Sequence, residues 1–353
     1  VGGSFIGLEA AENLHAQGVV VTVIDFASQL LPNVLDPEMA DYAKRHLQKQ
    51  GIRVLTGTKA EKLLGDGRVT AVRTDTAALP AELVVLSAGI RPNTAFLADS
   101  GMEMYKGTIL VDERLRTNLP DVYAAGDCVM VTNRITGRRQ WSPMGSSANL
   151  EGRTLAQILT GQDKTYPGVL GTGVVKLPGL NCGRTGLTEL QAKEAGYDVV
   201  TALAVTDDKA HYYPDAAFFI TKLIADRRTH KLLGVQVFGP GAVDKMVDIA
   251  VMAINMGAVL EDFENADFAY APPFSTAIHP LVQAVYILLN KLNGTLVSMT
   301  PAEYAAGAAE GYRVIDAAPA PSIRGATFVD PASVNGEIPG IGKEEKLLLV
   351  CVR

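Results

Sequence analysis

Cysteine is scarce in this chain. The three present, Cys128, Cys182 and Cys351, are far apart and odd in number, so neither a secreted disulfide framework nor a zinc cluster is suggested, and a reducing, cytoplasmic setting is the default. Long apolar runs are lacking as well. Stretches such as Gly18 to Ile24 and Val285 to Leu289 fall well short of the roughly 20 residues that a membrane-spanning helix needs. Nor is there a basic block: 32 Lys and Arg against 38 Asp and Glu leave a net charge of −6, which argues against a nucleic-acid or acidic-membrane surface and for a small soluble partner. Internal repeats and low-complexity tracts are absent. The chain opens on Val1 inside a motif, without Met, signal peptide or leading strand, and stops at Arg353 just after a strand-like run, so both ends read as cut.

What is there is ample apolar material, 48% of 353 residues, enough for two or three domains. A helical stretch follows Gly2 to Gly7, with Ile6, Leu8, Ala10, Ala11 and Leu14 at helix spacing and Gly18 as its stop. Strand signals follow at Val19 to Ile24, a helix at about Asp36 to Gln50, and short strands ending in Leu83 to Leu86, the alternation of a dinucleotide-binding α/β domain. Beyond Gly107 come strands at Thr108 to Val111 and Val122 to Ala125 and a helix at about Ser147 to Leu159. Gly and Pro rise around Tyr166 to Gly173, a plausible boundary. The next block carries strands at Val199 to Val205, Phe218 to Ala225 and Lys231 to Phe238, with helices at about Ala242 to Met256 and Pro280 to Leu292, an α+β pattern. Strand signals at Arg313 to Asp316 and Lys346 to Val350 close the chain, too little for an independent core.

Gly2, Gly3, Ser4, Phe5, Ile6 and Gly7 have the spacing of a glycine-rich phosphate loop, with Ser4 at the position usually held by the middle glycine. The first glycine allows the tight turn, a small middle residue lets backbone approach a pyrophosphate, and the last lets helix and strand pack closely. Helix N-terminal amides then bind phosphate. Asp25 lies at the end of the next strand, where it can accept hydrogen bonds from adenosine ribose hydroxyls, and no arginine follows it to meet a 2′-phosphate. NAD is therefore expected, with NADH preferred over NADPH.

Several phrases together, "VGGSFIGLEAAENL", "LSAGIRPNT", "LPDVYAAGDC", "YYP" at Tyr212 to Pro214 and "YAPPFSTAIHP", resemble the pyridine nucleotide-disulfide oxidoreductases, specifically the coenzyme A-disulfide and persulfide reductase branch. The resemblance covers Val1 to about Gly307. It implies an α/β fold with a Rossmann-like NAD-binding domain at 1–106, the C-terminal part of an FAD-binding domain at 107–165, an α+β dimerisation domain at 166–307 and a truncated rhodanese-like tail at 308–353, with the N-terminal FAD half absent. In such a protein Gly126 and Asp127 belong to the second FAD motif, Asp127 bonding a ribityl hydroxyl, with Ala88 and Gly89 upstream of it. Met144 and Gly145 stand where a helix starts beneath the flavin pyrimidine. Phe5 matches an aromatic gate over the flavin, and Glu9 a glutamate near the nicotinamide-flavin contact.

The resemblance also implies that Tyr212 and Tyr270 reach the partner subunit's active site. His279, followed by Pro280, echoes the proton-donating His-Pro of glutathione-reductase-like members, although Ala284 replaces its usual glutamate partner. "RVIDAAP" and "KLLLVCVR" resemble the start of a rhodanese domain, in which Cys351 would carry a persulfide. Cys128 reads as a small buried residue and Cys182 as part of a Gly-rich turn, neither redox-active. The implied activity is an FAD- and NADH-dependent homodimeric reductase of coenzyme A disulfide or persulfide, polysulfide or a similar sulfur species. An NADH oxidase or peroxidase on the same fold and a non-catalytic redox-sensing flavoprotein stay open as alternatives.

Overall fold

The computed structural model describes residues 1–351, which form two units, Val1–Leu289 and a second beginning at Asn290. In the first unit, α1 (Phe5–Ala16) starts behind the glycine loop, and β1 (Thr22–Ile24) leads through α2 (Pro37–Lys49) to β2 (Arg53–Leu55), which pairs parallel to β1. The start of α2 is written locally: Asp36 precedes Pro37 at the first helical position, and Glu38 complements the helix dipole in the first turn. Its buried stripe is Met39, Ala40, Ala43 and Leu47. A meander of β3 (Ala60–Leu64), β4 (Ala71–Thr74) and β5 (Ala78–Pro80) follows. Next comes a four-stranded sheet of β6 (Met104–Tyr105), β7 (Thr108–Leu110), β8 (Val129–Thr132) and β9 (Arg139–Trp141), and then α3 (Gly145–Leu159).

Three strand expectations fail here. Leu83 to Leu86 is not a strand, although Val1 N donates to Val85 O and Ser87 N to Val1 O, each at 2.8 Å. Val122 to Ala125 contributes only an isolated bridge from Tyr123 to Arg116. The run expected from Val19 shrinks to Thr22–Ile24, because Val19 and Val20 are exposed and no neighbour covers them.

The rest of the first unit is an antiparallel sheet in the order β10-β11-β14-β13-β12, formed by β10 (Gly173–Leu177), β11 (Leu180–Gly186), β12 (Val199–Asp207), β13 (Phe218–Asp226) and β14 (Leu232–Gly239). A short α4 (Glu189–Glu194) follows β11, and α5 (Val243–Met256) and α6 (Pro280–Leu292) follow β14. Sequence reading missed the β10–β11 hairpin because its glycines resemble a linker. They are packing positions instead: a Cβ on Gly183 would come 2.7 Å from Val247 Cγ2, and one on Gly186 2.1 Å from Leu233 O. Cys182, expected in a turn, lies in this strand, buried, and burial pushes its thiol up to about 12, which keeps it inert. With Val175, Leu177, Leu180 and Phe238 it shares one core with Leu8, Ala11, Met39 and Leu47 of α1 and α2.

A buried ion cluster crosses that junction. Lys222 on β13 is 1% exposed, and its Nζ lies 2.6 Å from Glu38, 2.7 Å from Glu189 and 3.1 Å from Asp36. Asp36 also accepts from Gln236 Nε2 at 2.8 Å and from the Glu189 amide. Burial opposes the lysine charge, yet Asp36, Glu189 and Glu38 outweigh it and hold its pKa above the ordinary value. Glu189 is held low: burial opposes its charge, and Lys193 and Lys222 prevail.

In the second unit, α7 (Pro301–Ala305) is started by a capping box of Thr300 and Glu303. A parallel sheet then forms in the order β16-β15-β17 from β15 (Arg313–Asp316), β16 (Thr327–Phe328) and β17 (Leu347–Val350). Asp316 accepts from the amides of Ser322, Ile323 and Ala318 and from Ser322 Oγ. The Ser322 amide first, with the others, holds its carboxyl below the usual range. Among the described residues no helix is long and apolar enough to cross a membrane.

Replacing Lys222 by Met leaves its carboxylates buried against one another. The expected loss is about 3–5 kcal/mol of unfolding free energy, measured by urea denaturation at neutral pH. The depressed Glu189 adds stability above its ordinary pKa of 4.5 that is lost as pH falls through its lower folded value. Wild type is therefore expected to lose stability in acid more steeply than Glu189→Gln, and equal slopes refute this.

Candidate active site

The glycine loop is fixed by contacts a side chain would break. A Cβ on Gly2 would lie 2.3 Å from Ser87 O, one on Gly3 2.6 Å from Leu30 Cδ2, and one on Gly7 1.9 Å from Gly2 O. Gly2 also sits at φ 110°, a conformation that favours glycine. Ser4 caps α1 without a side-chain hydrogen bond, so the helix's first amides stay unclaimed by any cap. Asp25 closes the loop from below: Oδ2 accepts from Gly3 N at 2.5 Å and Oδ1 from Ala27 N at 2.7 Å. A carboxylate has about four acceptor sites, so two backbone amides leave it room for a ribose. Ile6 and Glu9 are exposed, whereas Phe5 is half-buried, against Gly173 of β10, where a Cβ would come 3.0 Å from its ring.

Phe5 lines a cavity of about 480 Å³ together with Trp141, Pro143 and Met144. Met144 is the N-cap of α3, again without a capping side chain, and Gly145 is the first residue of that helix. The loop structure thus brings the aromatic of the first motif and an open helix N-terminus to one space. Arg184 stands on the same wall, buried, its guanidinium donating to Gly171 O at 2.5 Å and Gly186 O at 2.7 Å while Nε has no partner among the described residues. Burial lowers its pKa to about 10, so it is still a cation at neutral pH.

Gly126 and Asp127 are tied to this wall through backbone. Trp141 Nε1 donates to Asp127 O at 2.7 Å, and Gly126 N to Glu151 Oε2 on α3 at 2.6 Å. The Asp127 side chain is exposed and Cys128 half-buried, more open than the small buried residue expected. Ala88 and Gly89 are exposed, Gly89 at φ 100°, and neither lines the cavity. Their link to the loop is Ser87, whose Oγ donates to Val1 O at 3.0 Å.

Tyr212, Tyr270 and His279 gather at a different place. Both tyrosines are exposed, and their loops are joined by Ala210 N donating to Pro272 O at 3.3 Å. His279 is buried, its ring centroid 4.8 Å from that of Phe268 and tilted 36° to it, and its Nδ1 accepts from Leu281 N at 3.3 Å. Burial first, and then Lys245, lowers its pKa to about 4, so near pH 7 it is a neutral imidazole that donates a hydrogen bond but carries no extra proton. Cys351 follows β17 directly and is exposed.

Residues 1–148 match the family described as pyridine nucleotide-disulphide oxidoreductase, and residues 174–282 match its dimerisation domain. The FAD-dependent pyridine nucleotide-disulphide oxidoreductase from Desulfovibrio vulgaris is 33% identical with a TM-score of 0.70, covering 82% of this chain and 70% of that one. The chain belongs to the pyridine nucleotide-disulphide oxidoreductase family. The NAD(P)H coenzyme A polysulfide/persulfide reductase of Pyrococcus horikoshii is 36% identical over 289 residues, 82% of this chain and 64% of the relative. The NAD-dependent persulfide reductase from A. fulgidus is 32% identical with a TM-score of 0.92, covering 99% of this chain and 65% of that one. The chain therefore spans slightly less than two thirds of the length of these two relatives.

Sequence reading passed over Glu151. Its signal was there: it shares a buried stripe of α3 with Ser147 and Ile158, an acid where a core residue belongs. Burial raises its pKa to about 7, the Gly126 amide opposing and Asp127 adding. The folded state then holds a proton that the unfolded state releases above pH 4.5, so stability falls as pH rises from there through 7, by about 3 kcal/mol in all. Glu151→Gln keeps an acceptor for Gly126 and removes the titration. Urea midpoints measured from pH 5 to 8 are expected to fall in wild type and stay level in this variant; parallel curves refute the shift.

Proposed function

We propose that this chain is the nicotinamide-binding, flavin-contacting and dimer-forming part of a cytoplasmic FAD- and NADH-dependent reductase of coenzyme A disulfide or persulfide, polysulfide or a similar sulfur species. The observation that carries the reading is the cavity lined both by Phe5, at the glycine loop, and by Met144, at the open start of α3. Residues 1–106 serve the nicotinamide, 107–165 the flavin, 166–307 the dimer, and 308–353 begin a rhodanese-like domain. The rest of the flavin site and the redox cysteine come from residues outside this chain.

The residues present fit both cofactors. At the nicotinamide cofactor, the unclaimed amides of α1 meet phosphate and Asp25 meets the ribose. Asp127, exposed on a turn held by Glu151 and Trp141, has a free carboxylate for a polyol hydroxyl. Met144 at the open start of α3 and cationic Arg184 line the cavity, and the positive end of the helix and the guanidinium favour negative charge there. Bound FAD supplies two-electron exchange between nicotinamide and sulfur. Tyr212 and Tyr270 then donate to a developing thiolate from the partner subunit. An apolar surface around them, Tyr212, Phe218, Phe274 and Ile278, all exposed, supports a homodimer that covers it. Cys351, at the end of a parallel strand, is the persulfide carrier of the tail.

Two measurements on the full-length protein test this. Tyr212→Phe and Tyr270→Phe are expected to slow the sulfur half-reaction about tenfold or more while anaerobic stopped-flow reduction of the flavin by NADH is nearly unchanged. Equal losses in both halves refute the assignment, and turnover supported by oxygen but by no sulfur acceptor makes the protein an oxidase. Because Asp25 repels a 2′-phosphate, kcat/KM is expected to favour NADH over NADPH by about tenfold or more, and Asp25→Ala with a nearby arginine to reverse that order.

A further inference from the structure

The loops that carry Tyr212 and Tyr270 roof a second cavity of about 190 Å³, bounded by the start of α5, the turn at Pro273 to Ser275, and His279. Ser275 is 1% exposed, and its Oγ has no hydrogen-bond partner among the described residues. A buried hydroxyl in that state is normally satisfied by protein, water or a ligand. The second observation is independent. α5 is a 14-residue helix whose N-cap, Ala242, offers no side chain to its first turn; the Val243 amide is taken by Gly241 O at 2.9 Å, and Lys245, whose amide follows in the same turn, lines the cavity with Gly241, Ala242 and Met246.

The charge on the wall has one sign left over. Asp208 is already matched, Oδ1 by Ala217 N at 2.8 Å and Oδ2 by Lys209 at 3.8 Å. Lys245 has no ion pair among the described residues. Asp244, in the first turn of α5, is exposed and is not on the wall. His279, with Nδ1 accepting from Leu281, keeps an Nε2–H to donate.

The geometry points to a site for one small tetrahedral oxyanion, free in solution, held by Ser275 Oγ, the first-turn amide of Lys245 and the Lys245 ammonium. Ser275 and Lys245 border one cavity, and a helix N-terminus with a cation beside it favours an anion by its electrostatics. At about 190 Å³ the cavity is below the roughly 300 Å³ at which pockets for drug-sized ligands begin, so an inorganic ion fits and a nucleotide does not. The inference stands apart from the flavin reading, since none of these residues is assigned to a cofactor.

Isothermal titration of the chain with sodium sulfate and, separately, sodium phosphate, with chloride holding ionic strength constant, tests it. One saturable site per chain is expected. Ser275→Ala is expected to weaken it about fivefold and Lys245→Gln about tenfold or more, with circular dichroism checking that both variants fold. Crystals grown with selenate should show its anomalous peak beside Ser275 and the start of α5. Absence of saturable heat with either ion, wild-type affinity in both variants, or a selenate peak only elsewhere overturns the proposal. Preference between sulfate and phosphate identifies which source of the oxyanion the site takes.

Discussion

The cluster around Lys222 is the constraint on which the first unit depends. One ammonium on the antiparallel sheet is shared by Asp36 and Glu38 at the start of α2 and by Glu189 on α4. An uncompensated buried charge is severely unfavourable, so these segments cannot separate without exposing or stranding it. The 480 Å³ cavity inherits that rigidity. Asn33 and Val34, just before Asp36, and Leu187 and Gln191, on either side of Glu189, form part of its wall, and Gln191 Nε2 donates to Asn33 O at 3.3 Å. The clamp holds two walls in register while contributing no group to the chemistry.

Polarity at that cavity is arranged by burial. Arg184 is anchored by two backbone carbonyls and cannot swing to solvent, so its positive charge is fixed relative to Met144 and Phe5. Glu151 performs the opposite role nearby. It grips the Gly126 amide from the helix side, and its raised pKa lessens the negative charge beside Asp127 near neutrality. The turn is therefore positioned by a carboxyl that is about half protonated at pH 7.

Much of the fold was legible because its signals are local. The Asp36-Pro37 start of α2, the periodic apolar stripes of α5 and α6 and the long apolar strands β12, β13 and β14 depend on residues a few positions apart. The β10–β11 hairpin was not, since glycine there serves a helix packed from elsewhere, Val247 of α5 meeting Gly183. Leu83 to Leu86 shows the converse: its composition favours a strand, and a strand also needs a partner ladder.

By itself the sequence determined which short motifs are present: the glycine loop with Asp25, the Gly126-Asp127 turn, and the phrases that hold the two tyrosines and His279. Only the tertiary structure decided how they group. It joined Phe5 to Met144, sequence positions more than a hundred residues apart, and kept both away from Tyr212 and Tyr270. It also made His279 a neutral ring and Glu151 a half-protonated acid. Proton affinity in a folded chain is set by desolvation and by the charges that packing brings close, and neither can be read from neighbours along the chain.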